Sequence, residues 1–255
     1  MRRGTDPNAE EARTAFTSYV DAVDAYWAEQ RRATDRDPSL RRLGKRLVPH
    51  KRRVALRMWG TRALAPRELR RAHALAHARP VRLHFGSAAN RKPGWVNVDL
   101  LGDPVDLAWD VTRPLPFETE SVDAVFHEHL LEHLELRSGL AFLEECRRIL
   151  RPHALIRIGV PDGERYARAY VDGDRAFLER GVRLGVPRPT DMLALEEIFY
   201  YEGHRTMYDF ETLRLALRAA GFRAPERRGF GETALDACPD SEHRERDTLY
   251  VEAKA

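Results

Sequence analysis

The chain has 255 residues, 43% apolar and 33% charged, with a formal net charge of +3; that length suits one α/β catalytic unit with an appendage and is short for two enzymes. No stretch approaches the roughly 20 apolar residues of a membrane span, and Met1-Arg2-Arg3-Gly4 runs into Asp6, Glu10 and Glu11 instead of an apolar signal core. Cys146 and Cys238 lack ligand-type spacing, so a cytoplasmic chain with no disulfide framework or cysteine-built zinc site is expected.

Charge divides the sequence: residues 1–80 hold 19 Arg/Lys against 9 Asp/Glu, a balance of +10, and the remaining 175 residues carry −7. In the first part, Phe16, Tyr19, Val20, Val23, Tyr26 and Trp27 share one face of a helix over about residues 9–33. Residues 40–79 read as shorter basic helices punctuated by Pro49, Gly60 and Pro66. Residues 1–79 are therefore expected to be a basic helical extension that caps an active site or forms a homodimer contact, and 80–255 a catalytic domain. From Val81 the pattern alternates between β-rich and helical runs, as in a mostly parallel doubly wound sheet. Strands are predicted near 81–85, 95–99, 105–109, 122–127 and 154–160, with a last one around Thr248–Glu252. Helices are predicted near 131–150, 163–180, 191–201 and 209–220, the last opened by Asp209 and closed by Gly221.

Gly86 follows the first strand and Asp99 ends the second, a pair that suits a nucleotide-type ligand: glycine admits close backbone approach and the carboxylate can accept from a ribose diol. Downstream come Trp109-Asp110-Val-Thr-Arg-Pro-Leu-Pro-Phe117, Ser121-Val-Asp-Ala-Val-Phe126, His129-Leu-Leu-Glu-His133, Glu145 to Pro152 and Ile156-Arg-Ile-Gly-Val-Pro-Asp162. In order and spacing these resemble the class I S-adenosylmethionine-dependent methyltransferases, in the branch that reads roughly LNLGCG…GWINVD…PLPF…SVDxV…HxLEHL…LRIxVPD. The resemblance covers about 81–162, with a weaker echo in 203–222. It implies a Rossmann-like fold with a mostly parallel seven-stranded sheet. It also implies that Gly86, Ser87 and Ala88 contact the methionine part of S-adenosylmethionine, Asp99 with Leu100 binds the ribose, and Asp110 with Val111 holds the adenine. Phe126 and His127 would lie at the cofactor's reactive end. Two departures stand out: Ala88 replaces a loop glycine, and Pro152-His153-Ala154 replaces Pro-Gly-Gly. An alanine fits such a loop at negative φ and is strained at positive φ.

The stretch His127-Glu-His-Leu-Leu-Glu-His133 admits three chemistries. His129-x-x-Glu132-His133 matches an inverted zincin pattern, although it follows a Rossmann-type strand and lacks a peptidase context. The same three residues share one helix face and, with His204, could hold a zinc, iron or manganese ion beside the acceptor. Such a set resembles the Glu-x-x-Glu-His plus distal His site of ubiquinone-pathway and small-RNA O-methyltransferases, with histidine in place of the first glutamate. Without a metal, the residues simply open the helix after the fourth strand, and His129 or His204 acts as general base. Tyr201, Tyr208, Asp162 and Arg205 are the candidate substrate-wall residues. The expected acceptor is a small molecule with an oxygen, nitrogen or carbon nucleophile. The basic extension shows no recognisable nucleic-acid module, which argues against RNA or DNA methylation as the main activity. A methyltransferase-like fold that no longer methylates is the other alternative.

Overall fold

A computed structural model describes residues 50–77, 80–101, 104–179, 186–200 and 203–255, together with positions 14, 17, 18, 20–22 and 25. Seven strands form one sheet in the order β3-β2-β1-β4-β5-β7-β6. They are β1 (Arg82–Phe85), β2 (Val96–Asp99), β3 (Leu107–Ala108), β4 (Val122–Glu128), β5 (Leu150–Pro161), β6 (Arg223–Arg228) and β7 (Thr248–Lys254). β1 to β5 are parallel, whereas β7 runs antiparallel between β5 and β6. This is the class I methyltransferase fold, and it puts the carboxyl ends of the parallel strands on one edge, where ligands of such sheets bind.

The central strands are apolar almost throughout because both faces are covered. Leu83, Phe85, Val122, Val125, Ile156, Ile158 and Val160 are fully buried in the main core. One cover is α3 (Leu136–Ile149), whose buried Gly139, Phe142, Leu143, Cys146 and Ile149 follow helical spacing. Phe142 meets Phe85 edge to face at 5.3 Å. Alongside it lies α7 (Phe210–Ala219), opened by Asp209, whose side chain accepts from Thr212 N at 2.8 Å. At its other end Gly221 takes φ +91°.

The opposite face near β1 is covered differently. Residues 86–95 join β1 to β2 without a helix, so the β6–β7 connection folds over that face as a strap. Leu235 packs on Trp95, Ala124 and Phe126. Arg157, fully buried in β5, fastens the strap with a fork onto Asp240 (2.6 and 2.5 Å) and bonds to the carbonyls of Glu232 and Gly229. Glu252 shares the same guanidinium at 3.0 Å. Ser241 then accepts from Asn90 and Lys92, joining the strap to the loop after β1.

Two helices precede the sheet: α1 (His50–Ala63) and α2 (Ala65–Ala76). From Ala55 onward they belong to the compact unit that carries the sheet, formed by 55–165 and 203–255. The expected break at Gly60 does not occur, because the helix continues with Gly60 facing Leu101; a Cβ there would lie 3.2 Å from Leu101 Cδ2. Pro66 instead falls in the first turn of α2, where its missing N–H costs nothing. The second unit comprises 1–54 and 166–202. Within it, Tyr166, Ala169, Phe177, Leu178 and Ala194 make a small core, and buried Arg188 pairs with Glu197 at 2.8 Å. The described positions between 14 and 25 are helical. Of the apolar face expected there, only Val20 is among the described residues, and it is 40% exposed.

Two helices differ from expectation. The helix predicted over 131–150 starts as a separate 3-10 turn, Leu131–His133, before α3. The one over 163–180 splits at Gly173 (φ +69°) into α4 (Gly163–Asp172) and α5 (Arg175–Leu178), the second capped by Asp174. The helix predicted over 191–201 is present over its described residues as α6 (Asp191–Tyr200). β6 reads Arg-Ala-Pro-Glu-Arg-Arg, too polar to be noticed as a strand and tolerated because it is the sheet edge. Among the described residues no helix is long and apolar enough to cross a membrane.

Candidate active site

The carboxyl edge of the sheet divides into two polar regions. The first lies over β1 to β3. Gly86 has φ +69°, and a Cβ there would meet Leu130 Cβ at 3.0 Å, so both conformation and space require glycine. Ser87 is buried, and its Oγ has no hydrogen-bond partner among the described residues. Ala88 adopts φ +40°, the strained side for an L-residue. Its N–H donates to Asp99 Oδ2 at 2.8 Å, and Leu100 N–H donates to Asp99 Oδ1 at 2.6 Å. The carboxylate therefore fastens the loop after β1 to the loop after β2. Asp110, after β3, is buried; its Oδ1 accepts two bonds from Thr112, and its Oδ2 accepts one from Arg62 Nε of α1 and pairs with the same guanidinium's Nη2 at 2.7 Å. Val111 beside it is half-buried.

The second region lies beyond β4 and β5. Glu132, in the 3-10 turn, is completely buried, and neither carboxylate oxygen has a hydrogen bond among the described residues. Three imidazole nitrogens surround Oε1: His129 Nδ1 at 3.3 Å, His204 Nε2 at 3.9 Å and His133 Nε2 at 4.0 Å. His204 reaches it because the backbone of 205–206 is clamped to the turn; Arg205 N and Thr206 N both donate to the Glu132 carbonyl, at 2.8 and 3.1 Å. The His133 and His204 rings meet edge on at 4.9 Å. His129 stands at φ +52°, a left-handed conformation that costs a β-carbon residue energy, and its Nε2 lies 2.9 Å from Thr248 Oγ1. Burial, with Arg244 nearby, lowers the His129 pKa to about 4, whereas burial raises that of Glu132. Glu132, His133 and His204 bring one ligand atom each within 4.8 Å of one another; His129 approaches Glu132 without joining that triad.

The other expected site residues separate. Phe126 is buried under the strap, with its ring 5.0 Å from His84 and 6.0 Å from Trp95. His127 points to the other face, 5.4 Å from Phe142, with neither ring nitrogen hydrogen-bonded among the described residues; burial lowers its pKa to about 3. Their side chains are core, which leaves only backbone to face a ligand. Tyr208 is 2% exposed and packs near Gly139. Asp162 is buried, held by Arg227 at 2.5 Å and by Arg165 N at 3.2 Å. Arg205 turns outward to Glu135. Tyr201 lies outside the described residues. Sequence reasoning passed over Glu128, which accepts from Tyr250 OH at 2.8 Å and Ser241 N at 3.1 Å, and also Thr248 and the α1 residues Arg57, Thr61 and Arg62. Only the position of Glu128 at a strand's carboxyl end marked it beforehand.

A family model described as a methyltransferase domain matches residues 86–158. No curated protein matches the sequence significantly. Among solved structures, the chain is similar to a SAM-dependent methyltransferase from Archaeoglobus fulgidus, at 16% identity, covering 81% of this chain and 100% of that one with a TM-score of 0.45. It is also similar to S-adenosylmethionine-dependent enzymes from Mesorhizobium loti (16% identity, 69% and 90% covered, TM-score 0.42) and Aquifex aeolicus (16% identity, 68% and 81% covered, TM-score 0.39).

Proposed function

We propose that the chain, whose residues 86–158 match a methyltransferase domain on a sheet of class I methyltransferase topology, uses S-adenosylmethionine to methylate a small molecule whose nucleophile sits beside Glu132. The observation that carries this reading is the Glu132 carboxylate itself: fully buried, without a hydrogen bond, and ringed by three imidazoles at the ligand-binding edge. A buried charge left unsatisfied is costly, and such groups cluster where a ligand completes them.

S-adenosylmethionine supplies a methyl group already activated by its sulfonium charge. The protein's task is then alignment. Gly86 would admit the methionine part, the Ser87 hydroxyl, without a hydrogen bond among the described residues, could bond it, and Asp99 would keep lone pairs for the ribose diol; these features fit the cofactor. Strain at Ala88 leaves the loop less adaptable than one with glycine there. On the acceptor side, burial keeps His129 neutral and by itself weakens it as a base, so taking a proton would depend on the carboxylate 3.3 Å from Nδ1 stabilising the cation formed. His204 is the second candidate base.

Glu132, His133 and His204 also suit a divalent metal of the zinc, iron or manganese type. Their separations of 3.9 and 4.0 Å are too long for hydrogen bonds. They are close to the roughly 3.4 Å ligand-to-ligand spacing of a tetrahedral site with bonds of about 2.1 Å. Nitrogen-rich donors favour these metals over magnesium. A metal held there would fix and acidify an acceptor hydroxyl. Elemental analysis of protein purified without a histidine tag tests this. About one equivalent of metal, and turnover abolished by a chelator, is expected. An active enzyme with no ion and no chelator effect removes the metal and leaves the histidines as bases.

A further inference from the structure

A carboxylate has about four lone-pair positions, and at Asp110 three take hydrogen bonds while an ion pair crowds the remaining position. Thr112 N (3.0 Å) and Thr112 Oγ1 (2.7 Å) both donate to Oδ1; Arg62 Nε donates to Oδ2 at 2.8 Å, and its Nη2 lies 2.7 Å from the same oxygen as an ion pair. Asp110 is the residue to which the cofactor reading assigns the adenine, and an adenine amino group needs one of these positions. The Thr112 bonds are local, two residues along the same turn. The Arg62 fork comes from a different element, and its side chain is 48% exposed, so it has somewhere to go.

The rest of α1 reinforces the contact. Arg57 donates to the carbonyls of Leu101 (2.7 Å) and Leu100 (3.2 Å) and lies 3.9 Å from Asp99 Oδ1. Thr61 Oγ1 accepts from Leu101 N at 2.9 Å. One helix thus grips both loops that bear the nucleoside-binding acids. We infer that α1 is a cofactor-entry latch in which Arg62 occupies Asp110 in the cofactor-free protein and is displaced by the adenine. This rests on the cofactor reading above, and it assigns to the basic helix a role in setting donor affinity.

Calorimetric titration with S-adenosylhomocysteine tests the inference on wild type, Arg62→Ala, Asp110→Asn and the double variant, each checked for folding by its thermal transition. An ion pair with one partly exposed member is worth a factor of about two to five, so Arg62→Ala is expected to bind about two- to fivefold more tightly. That gain is expected to vanish in the Asp110→Asn background, where there is no charge to compete for. Wild-type affinity is expected to improve from about 0.02 to about 0.5 M salt, with Arg62→Ala flat, because screening weakens only the pair. Unchanged or weaker binding by Arg62→Ala, with wild type binding normally, overturns the latch alone. Binding by neither protein overturns the cofactor reading, and the latch with it.

Discussion

The two halves of the sheet edge treat buried carboxylates in opposite ways. Over β1 to β3, Asp99 and Asp110 are engaged on both oxygens by backbone, threonine and arginine donors. Beyond β4, Glu132 accepts no hydrogen bond among the described residues: His204 and His133 stand too far away, and His129, though 3.3 Å off, is not aligned to donate. The first arrangement is complete as a piece of protein, whereas the second is completed only by a proton, a metal or a substrate. Acids of the first kind hold loops in register for a ligand; an acid of the second kind is free for chemistry.

The comparison is broken most directly at Glu132. Glu132→Met is expected to lower acceptor-dependent turnover by about 10²- to 10⁴-fold. Thermal stability should rise, because a well-packed apolar group replaces an uncompensated buried acid, a gain of about 1–4 kcal/mol. A melting curve beside a turnover assay reads both; lost stability would mean that the carboxylate is structurally satisfied after all. The complementary change is Arg157→Met in the strap, where every partner is engaged. Here denaturant unfolding should report a loss of about 3–5 kcal/mol, because Asp240 and Glu252 remain buried without their cation.

A third test concerns pH. His84 and His127 have pKa values lowered by burial to about 4 and about 3, the first despite its bond to Asn97. The unfolded chain binds these protons near pH 6.5 and the folded chain does not. Their stability contribution is therefore complete above that pH and declines as pH falls toward the folded values, by about 2 kcal/mol per histidine at pH 5. His127→Phe should flatten that slope, measured as unfolding free energy at pH 7 and pH 5. The smallest effect is expected at Ala88. Ala88→Gly relieves a positive φ and should stabilise the fold by about 1 kcal/mol. It should also tighten S-adenosylhomocysteine binding severalfold in a titration, sharpening the claim that the donor loop is strained.

Much of this was legible in the sequence. Apolar runs buried on both faces announced the parallel strands, and Asp209 with Gly221 bounded a helix correctly. The strap was not legible, since its hold depends on Arg157 meeting Asp240 across 83 positions of chain. In the site, His129, His133 and His204 surround the Glu132 carboxylate, but the first two come from a 3-10 turn and the loop before it instead of the single helix face expected, and His129 stands apart from the closest triad. Phe126 and His127 could not be assigned beforehand, because a strand turns successive side chains to opposite faces and both faces here are core. Arg62 was invisible for another reason: a basic helix reads the same whether its arginines meet solvent or a buried aspartate.

The central claim, that this edge binds S-adenosylmethionine through the loop at Gly86 and Asp99, is tested most directly by calorimetric titration of the wild-type chain and Asp99→Ala with S-adenosylhomocysteine. Saturable one-to-one binding by wild type that is lost in the variant is the predicted result. Absence of binding by the folded wild-type protein at millimolar ligand, or equal binding by Asp99→Ala, would contradict it.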